Sequence, residues 1–403
     1  MSVSSNANES LAGFRGCSPD RISGSKDNTA SEGQAAVDIA LLGQRVMQGG
    51  AVTPEEAREL LQVTGEDVWD LLYWAHKVRY HFHGKQVTFC SIVASKFGDC
   101  SEDCSFCAQS VHHEVQVPAR TMMDSDEVVK AMTDARQFGA SAFGIVNQGK
   151  GPSDHDWPEV LDSVDRMQEV EGTCRCASLG ILSEDQAHDL KKAGLQRYNH
   201  NLESSRDYYH NVCTTHTWDE RYETVRMAKA AGLETCCGGI MGMGESIDDR
   251  VQLAFSLKEL NPNVVPLNFL YTVPGTPLED REPLAPLEIL KIIAVFRLVL
   301  PEQDLKIAGG RERNLRDLQS WIFYAGATSA LVGNYLATFG RPYGEDLQMI
   351  EDLGLEWKPR VGNPSPDTGN ITNHYENQHW NPVKEWAEGG TPTSIRLPVL
   401  EQD

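Results

Sequence analysis

From residue 87 onward, short apolar runs rich in β-branched residues alternate with longer stretches where apolar residues recur every three or four positions. This is the pattern of strands followed by amphipathic helices. Strands are predicted near 87–95, 141–147, 174–179, 196–201, 234–241, 264–270, 305–308 and 329–332. Helices are predicted near 126–138, 157–170, 184–193, 219–230, 247–260, 286–300 and 312–324. Eight strands in alternation with helices meet the requirement of a closed parallel barrel. The predicted fold class is therefore α/β, a (β/α)8 TIM-type barrel with an N-terminal helical extension and flexible termini.

The preface to the barrel reads as three helices, near 37–48, from Thr53, and near 66–80. Thr53-Pro54-Glu55-Glu56 has the form of a capping box, with Thr53 as N-cap, Pro54 in the first turn and Glu56 reaching back. The expected organisation is a disordered leader over 1–36, a helical segment over 37–85, and the barrel over 86–335. A C-terminal helical cap over 336–361 and a loosely ordered tail over 362–403 follow. The leader is rich in Ser, Asn, Gly and Asp and lacks the apolar segment of a signal peptide. Pro, Asn, Thr and Gly dominate the tail.

The formal net charge of −22 changes the picture in one respect. It disfavours a phosphate backbone as partner, so no nucleic acid is expected and a small substrate is. No apolar run of about 18 residues occurs, so no membrane span is expected. Ten cysteines, several of them crowded together, suit a reducing cytoplasm better than a disulfide scaffold.

The densest chemistry is Cys100-Ser101-Glu102-Asp103-Cys104-Ser105-Phe106-Cys107, preceded by Lys96-Phe97-Gly98-Asp99. Three thiolates this close can wrap a single compact metal centre, and iron–sulfur clusters are held by such runs. A four-iron cube with three protein ligands leaves one iron open, as a catalytic zinc site keeps a free position. That iron can take a small molecule's amino and carboxylate groups. Two other readings are a zinc knuckle completed by His112 or His113, and three small buried core residues. The triplet follows the first predicted strand, where barrel enzymes carry their catalytic groups.

CxxxCxxC is the signature of radical S-adenosylmethionine enzymes, and the stretch GDCSEDCSFCAQS, from Gly98 to Ser110, resembles the biotin synthase family. The resemblance covers about 37–355. It implies a 4Fe–4S cluster on Cys100, Cys104 and Cys107, reductive cleavage of S-adenosylmethionine, and hydrogen abstraction from dethiobiotin. Sulfur would come from an auxiliary iron–sulfur cluster, of 2Fe–2S type by resemblance. A flavodoxin-type electron donor and a homodimer are implied as well. In the family a glycine-rich segment, here Gly238, Gly239, Gly242 and Gly244, helps hold S-adenosylmethionine, and Asn199 and Phe106 are grouped with it.

Tyr198-Asn199-His200-Asn201-Leu202-Glu203 resembles the family's YNHNLD motif, with Glu203 in place of Asp. Alternation along a strand would point Asn199, Asn201 and Glu203 to one face. Three such groups in an apolar interior are costly unless something pairs with them. Asn201, Glu203 and Asn268 are the candidate catalytic residues, Asn268 matching an asparagine that binds the cyclic urea of dethiobiotin.

For the auxiliary cluster the resemblance places ligands at Cys176, Cys236 and Arg311, with Gly144 where the family has a fourth ligand, cysteine. Arg311 also admits an ordinary pairing with Glu312 or Glu245. Cys90 or Cys174 is the expected substitute, from strands flanking the second at about 4.8 Å. Cys174 should share a face with Cys176, whereas Cys237 should face the helices. Cys213 and Cys17 have no motif around them. Two rivals remain: a mutase or hydrogenase-cofactor maturase of the same branch without a second cluster, and a binding protein with a structural metal.

Overall fold

The structure is a computed structural model that describes residues 37–357 apart from 116, 334, 335 and 337–339. All of the leader, all of the tail, Cys17 and residues 358–361 of the expected C-terminal cap lie outside the described residues. Three helices come first, α1 (Ile39–Met47), α2 (Pro54–Gln62) and α3 (Asp67–His83). The capping box forms as the sequence predicts. Thr53 Oγ1 accepts from the Glu56 N–H at 3.2 Å, and Glu56 Oε2 accepts from the Thr53 N–H at 2.9 Å.

The barrel strands are β1 (Gln86–Lys96), β2 (Ala142–Asn147), β3 (Cys174–Ser178), β4 (Arg197–Asn199), β5 (Glu234–Cys236), β6 (Gly239–Met241), β7 (Val264–Phe269), β8 (Asp304–Ile307) and β9 (Ser329–Leu331). A short β10 (Glu356–Trp357) adds to β1 outside the ring. The helices between them are α4 (Ser125–Gln137), α5 (Trp157–Arg166), α6 (Glu184–Lys192), α7 (Trp218–Ala230), α8 (Ile247–Leu260), α9 (Pro286–Val299), α10 (Arg311–Leu315), α11 (Trp321–Ala325) and α12 (Tyr343–Asp352). All pairings in the ring are parallel, and it closes where β9 meets β1, Thr88 opposite Ser329 and Cys90 opposite Leu331. Counting β5 and β6 as one interrupted strand, eight strands close the barrel among the described residues.

Two predicted elements are broken. The fifth strand stops at Cys236 and resumes at Gly239 because the chain at Gly238 is pressed onto β7. A Cβ on Gly238 would sit 1.8 Å from the Pro266 carbonyl oxygen. The last helix of the barrel divides into α10 and α11, with Arg316 between them at a φ of 51°. No helix among the described residues is long and apolar enough to cross a membrane.

Large apolar side chains pack between strands and helices, whereas the barrel interior is lined by Cys90, Ala142, Cys174, Cys176, Ala308 and Leu331. Barrels of this type usually fill that space with layers of bulky branched residues. Small side chains and thiols leave it open to something else.

Beneath the barrel, Arg297 of α9 is fully buried and donates to the carbonyls of Gly326, Leu300 and Gln303 at 2.8, 3.0 and 2.9 Å. Its guanidinium also donates to Nε2 of His83 at 3.1 Å. Burial, and then this cation, push the His83 pKa down to about 4. The folded chain thus resists a proton that the unfolded chain accepts near 6.5. Stability should fall by about 2–3 kcal/mol as pH drops from about 6.5 to about 4. Above that window His83 costs nothing. Urea midpoints across this range should flatten in His83→Gln, and an unchanged slope would refute the assignment.

Candidate active site

The loop after β1 is built to present thiols. Gly98 has a φ of 76°, and a Cβ there would meet the Ala119 backbone at 2.8 Å. The Cys100 N–H donates to the Gln109 carbonyl at 2.9 Å, the Val111 N–H to the Cys100 carbonyl at 2.9 Å, and the Cys107 N–H to the Cys104 carbonyl at 3.0 Å. The Ser105 N–H donates to the Val212 carbonyl at 2.9 Å, tying the loop to the segment before α7. His112 and His113 do not complete a zinc knuckle. Their Nε2 atoms lie 2.9 Å from the carbonyls of Ser101 and Cys104.

Burial raises the Cys100 thiol pKa and pushes that of Cys107 up to about 11. Cys104 is raised by its hydrogen bond to Cys213 and then by burial, and as donor it pulls Cys213 down to about 4. Buried thiols of this kind become thiolates when a metal takes the place of the proton. The donor set, three sulfurs within one short loop, fits a cluster with an open iron, and Cys213 stands beside Cys104 as a further sulfur from another segment.

The segment 199–203 reaches this loop from the barrel. β4 ends at Asn199, so strand alternation does not carry the shared face that the sequence suggested. Other devices do. Asn201 Oδ1 accepts from the Gly238 N–H at 3.1 Å and its side chain hydrogen-bonds Glu203, which stands at a φ of 64°. Asn199 Oδ1, His200 Nε2 and Glu203 Oε2 are buried with no hydrogen-bond partner among the described residues. Such atoms are expensive unless a ligand satisfies them. Burial raises the Glu203 carboxyl, partly offset by Arg221, whose guanidinium lies 3.7 Å away. Burial also holds His200 neutral. The charge of Glu203 adds to the upward shift of the Cys107 thiol, so the two groups lie near one another.

The glycines divide into two kinds. Gly238 and Gly239 permit close crossing of strands, since a Cβ on Gly239 would lie 2.6 Å from the Glu203 carbonyl oxygen. Gly242 and Gly244 instead form a turn at φ values of 95° and 109°, their N–H groups donating to the Glu245 carboxylate. That carboxylate is held by Arg250 at 2.8 Å. Phe106 is half-buried against the main core. The Asn268 amide bridges two backbones, donating to the Gly239 carbonyl at 3.2 Å and accepting from the Gly309 N–H at 2.8 Å. One further N–H and one lone pair remain for a ligand.

Deeper in the barrel, Cys90, Cys174, Cys176 and Cys236 point inward. Sγ of Cys174 and Sγ of Cys176 are 3.9 Å apart on one face, as alternation requires. Lys306 Nζ lies 3.5 Å from Cys236 Sγ and 3.7 Å from Cys90 Sγ. Arg197, largely buried, faces the thiols of Cys176, Cys174 and Cys236. Gly144 pairs with Cys176 in register, and a Cβ there would meet the Cys176 Cβ at an ordinary 3.5 Å. Cys237 turns outward into the main core.

Arg311 is not part of this group, which corrects the expectation for it. Its guanidinium is fully buried and makes a bidentate pair with Asp346 of α12 at 2.9 and 2.8 Å, with Glu312 at 3.1 Å. The cations facing the thiols are Lys306 and Arg197. Alternation along β8 carried the signal, because Leu305 and Ile307 face the helices and leave Lys306 to face inward.

Comparison with known proteins agrees with this geometry. Residues 95–257 match the Radical SAM superfamily model and residues 266–356 match the Biotin and Thiamin Synthesis associated domain. The biotin synthase of Geotalea daltonii is 45% identical over 320 residues, 79% of this chain and 97% of its own. That of Heliobacterium modesticaldum is 48% identical over 307 residues, 76% of this chain and 94% of its own. Among solved structures, methylornithine synthase superposes with a TM-score of 0.69 at 21% identity, covering 79% of this chain and 98% of its own. The FeFe-hydrogenase maturase of Carboxydothermus hydrogenoformans gives 0.70 at 18%, covering 80% and 79%, and at these identities both attest the fold alone. The inward thiols, the mouth loop and these full-length relatives lead to one statement: this chain belongs to the biotin synthase family of radical S-adenosylmethionine enzymes.

Proposed function

We propose that this enzyme inserts sulfur into dethiobiotin to form biotin, using two iron–sulfur centres at different depths of one barrel. The observation that carries this reading is the stacking of two thiol groups, three in the mouth loop and four on β1, β3 and β5. The segment 199–203 links them, Asn199 standing opposite Cys236 in register and Glu203 lying near Cys107. When bound, the first cluster supplies the electron that cleaves S-adenosylmethionine, and the second supplies the sulfur.

The chain's own groups then have these tasks. Cys100, Cys104 and Cys107 hold the first cluster. Gly238 and Gly239 keep the floor of the site low, and Asn199, Asn201 and Glu203 meet the adenosyl group. Asn268 offers its spare N–H and lone pair to the cyclic urea. Cys176 and Cys236 hold the auxiliary cluster, of 2Fe–2S type by family, with Cys90 or Cys174 in place of the cysteine absent at position 144. Lys306 and Arg197 offset the charge that several thiolates and iron would concentrate in a low-dielectric interior. The small, closed interior keeps water from a reactive carbon centre.

A mutase or maturase without a second cluster is disfavoured by the four inward thiols. The described cysteines form no disulfide, which suits a reducing compartment such as the cytoplasm. A flavodoxin-type donor and a homodimer belong to the same reading. Anaerobic incubation with dethiobiotin, S-adenosylmethionine and a flavodoxin-type reductant should yield biotin. Cleavage of S-adenosylmethionine without any biotin, from chains carrying both clusters, would refute it.

A further inference from the structure

The barrel has a second cavity at the end away from the cluster loop. All ring strands are parallel, so their first residues gather opposite the mouth. There Thr88, Ala142, Cys174, Asp304 and Ser329 line a cavity of about 370 Å³, counted out to where it meets solvent. Cys90 and Lys306, two residues further up β1 and β8, line it as well, whereas Cys176 and Cys236 lie outside its lining. Bulky branched side chains usually close the interior of such a barrel. The floor here presents Thr88, Ala142 and Ser329 instead. Asp304 stands at the rim, its side chain 36% exposed.

Lys306 gives this cavity its chemistry. It is 6% exposed and, among the described residues, forms no ion pair. Its Nζ lies beside the sulfurs of Cys90 and Cys236, at 3.7 and 3.5 Å. Arg197 also lines the cavity and acts on Lys306 as a like charge, although Glu234 holds its guanidinium at 2.6 Å. A buried ammonium without a carboxylate draws small anions.

Sulfur given to the product has to be replaced before the chain can act again. From the mouth, the way to Cys90 and Cys174 runs past Asn199, Asn201 and Asn268, the groups assigned to S-adenosylmethionine and dethiobiotin. The floor cavity reaches the same two thiols without crossing that site. We propose that it is a port through which hydrosulfide reaches the auxiliary cluster from below, drawn in by Lys306. The proposal rests on reading the inward thiols as the holders of that cluster. The step is a ligand exchange. Hydrosulfide gives up its proton to solvent, and its sulfur takes the position on iron that another sulfide, or the sulfur lost to product, has left. No electron moves in it.

The test uses the full chain with Cys100, Cys104 and Cys107 all replaced by alanine, so that its acid-labile sulfide belongs to the auxiliary cluster alone. Incubated anaerobically with isotopically labelled hydrosulfide, this parent should take up label, read by mass spectrometry of the sulfide released in acid. Thr88 is half-buried and shares the inward face of Cys90. Adding Thr88→Phe should slow exchange at least about tenfold, because a close-packed floor admits no solute. Thr88→Ser should exchange at the parent rate. No exchange in the parent, or an unchanged rate in Thr88→Phe, would overturn the port. Should the phenylalanine variant fail to fold, thiol mapping of the wild-type chain without its clusters decides. Methyl methanethiosulfonate, small and uncharged, should modify Cys90 and Cys174 before Cys176 and Cys236, and any other order overturns the proposal. A parent that holds no acid-labile sulfide would instead refute the auxiliary-cluster reading itself.

Discussion

Replacing Arg311 with methionine is expected to lower the unfolding free energy by about 3–5 kcal/mol. Its iron and sulfide content per folded chain should stay at the wild-type level. The bidentate pair with Asp346 is wholly buried and joins α10 to α12. Removing the cation leaves a carboxylate in a buried interior where, among the described residues, Arg341 at 3.6 Å is the remaining cation paired with it. Burial already raises Asp346 and Arg311 pulls it back, so the variant's carboxyl should rise further. A raised folded pKa makes stability fall as pH climbs above the unfolded value of 3.8. The deficit should therefore be largest near neutral pH and shrink at more acidic pH, where Asp346 is protonated in both states. Urea midpoints at two pH values test this. Adding Asp346→Leu should recover much of the loss, because a well-packed apolar pair can replace a buried ion pair at little cost. A variant that lost auxiliary-cluster iron without losing stability would restore Arg311 as a ligand.

Arg311 also shows where sequence reading reaches its limit. Its partner lies 35 residues further on in α12, beyond any local pattern, so a motif match could not see the pairing. Local rules succeeded where the physics is local. Strand–helix periodicity located the ring, the capping box opened α2, and alternation put Cys174 with Cys176 and turned Cys237 outward. The same rule applied to β8 would have found Lys306. What failed depends on contacts between distant segments. The break after Cys236 comes from Pro266, and the left-handed turn at Glu203 interrupts a face drawn as continuous strand. Cys213 has its partner Asp103 110 residues away, and nothing in its own neighbourhood announces the cluster loop.

Cys176→Ala and Cys236→Ala are each expected to reduce biotin formation at least about 100-fold while S-adenosylmethionine cleavage continues. The two centres use separate thiols, so the loss should appear as uncoupling, methionine released without biotin, and as loss of auxiliary iron alone. Cys90→Ala and Cys174→Ala then distinguish the fourth ligand. The one whose loss lowers auxiliary iron is the substitute, and if neither does, the rescue by both fails. Position 144 offers an independent check on the same geometry. A Cβ there meets Cys176, Ile92 and Asn199 at 3.5–3.7 Å, ordinary contact, so the backbone at this position tolerates a side chain that starts toward Cys176. Gly144→Cys should therefore restore auxiliary iron to whichever alanine variant had lost it. Lys306→Met should weaken the auxiliary centre in every background, because the charge it offsets belongs to the thiolates together and not to any one of them.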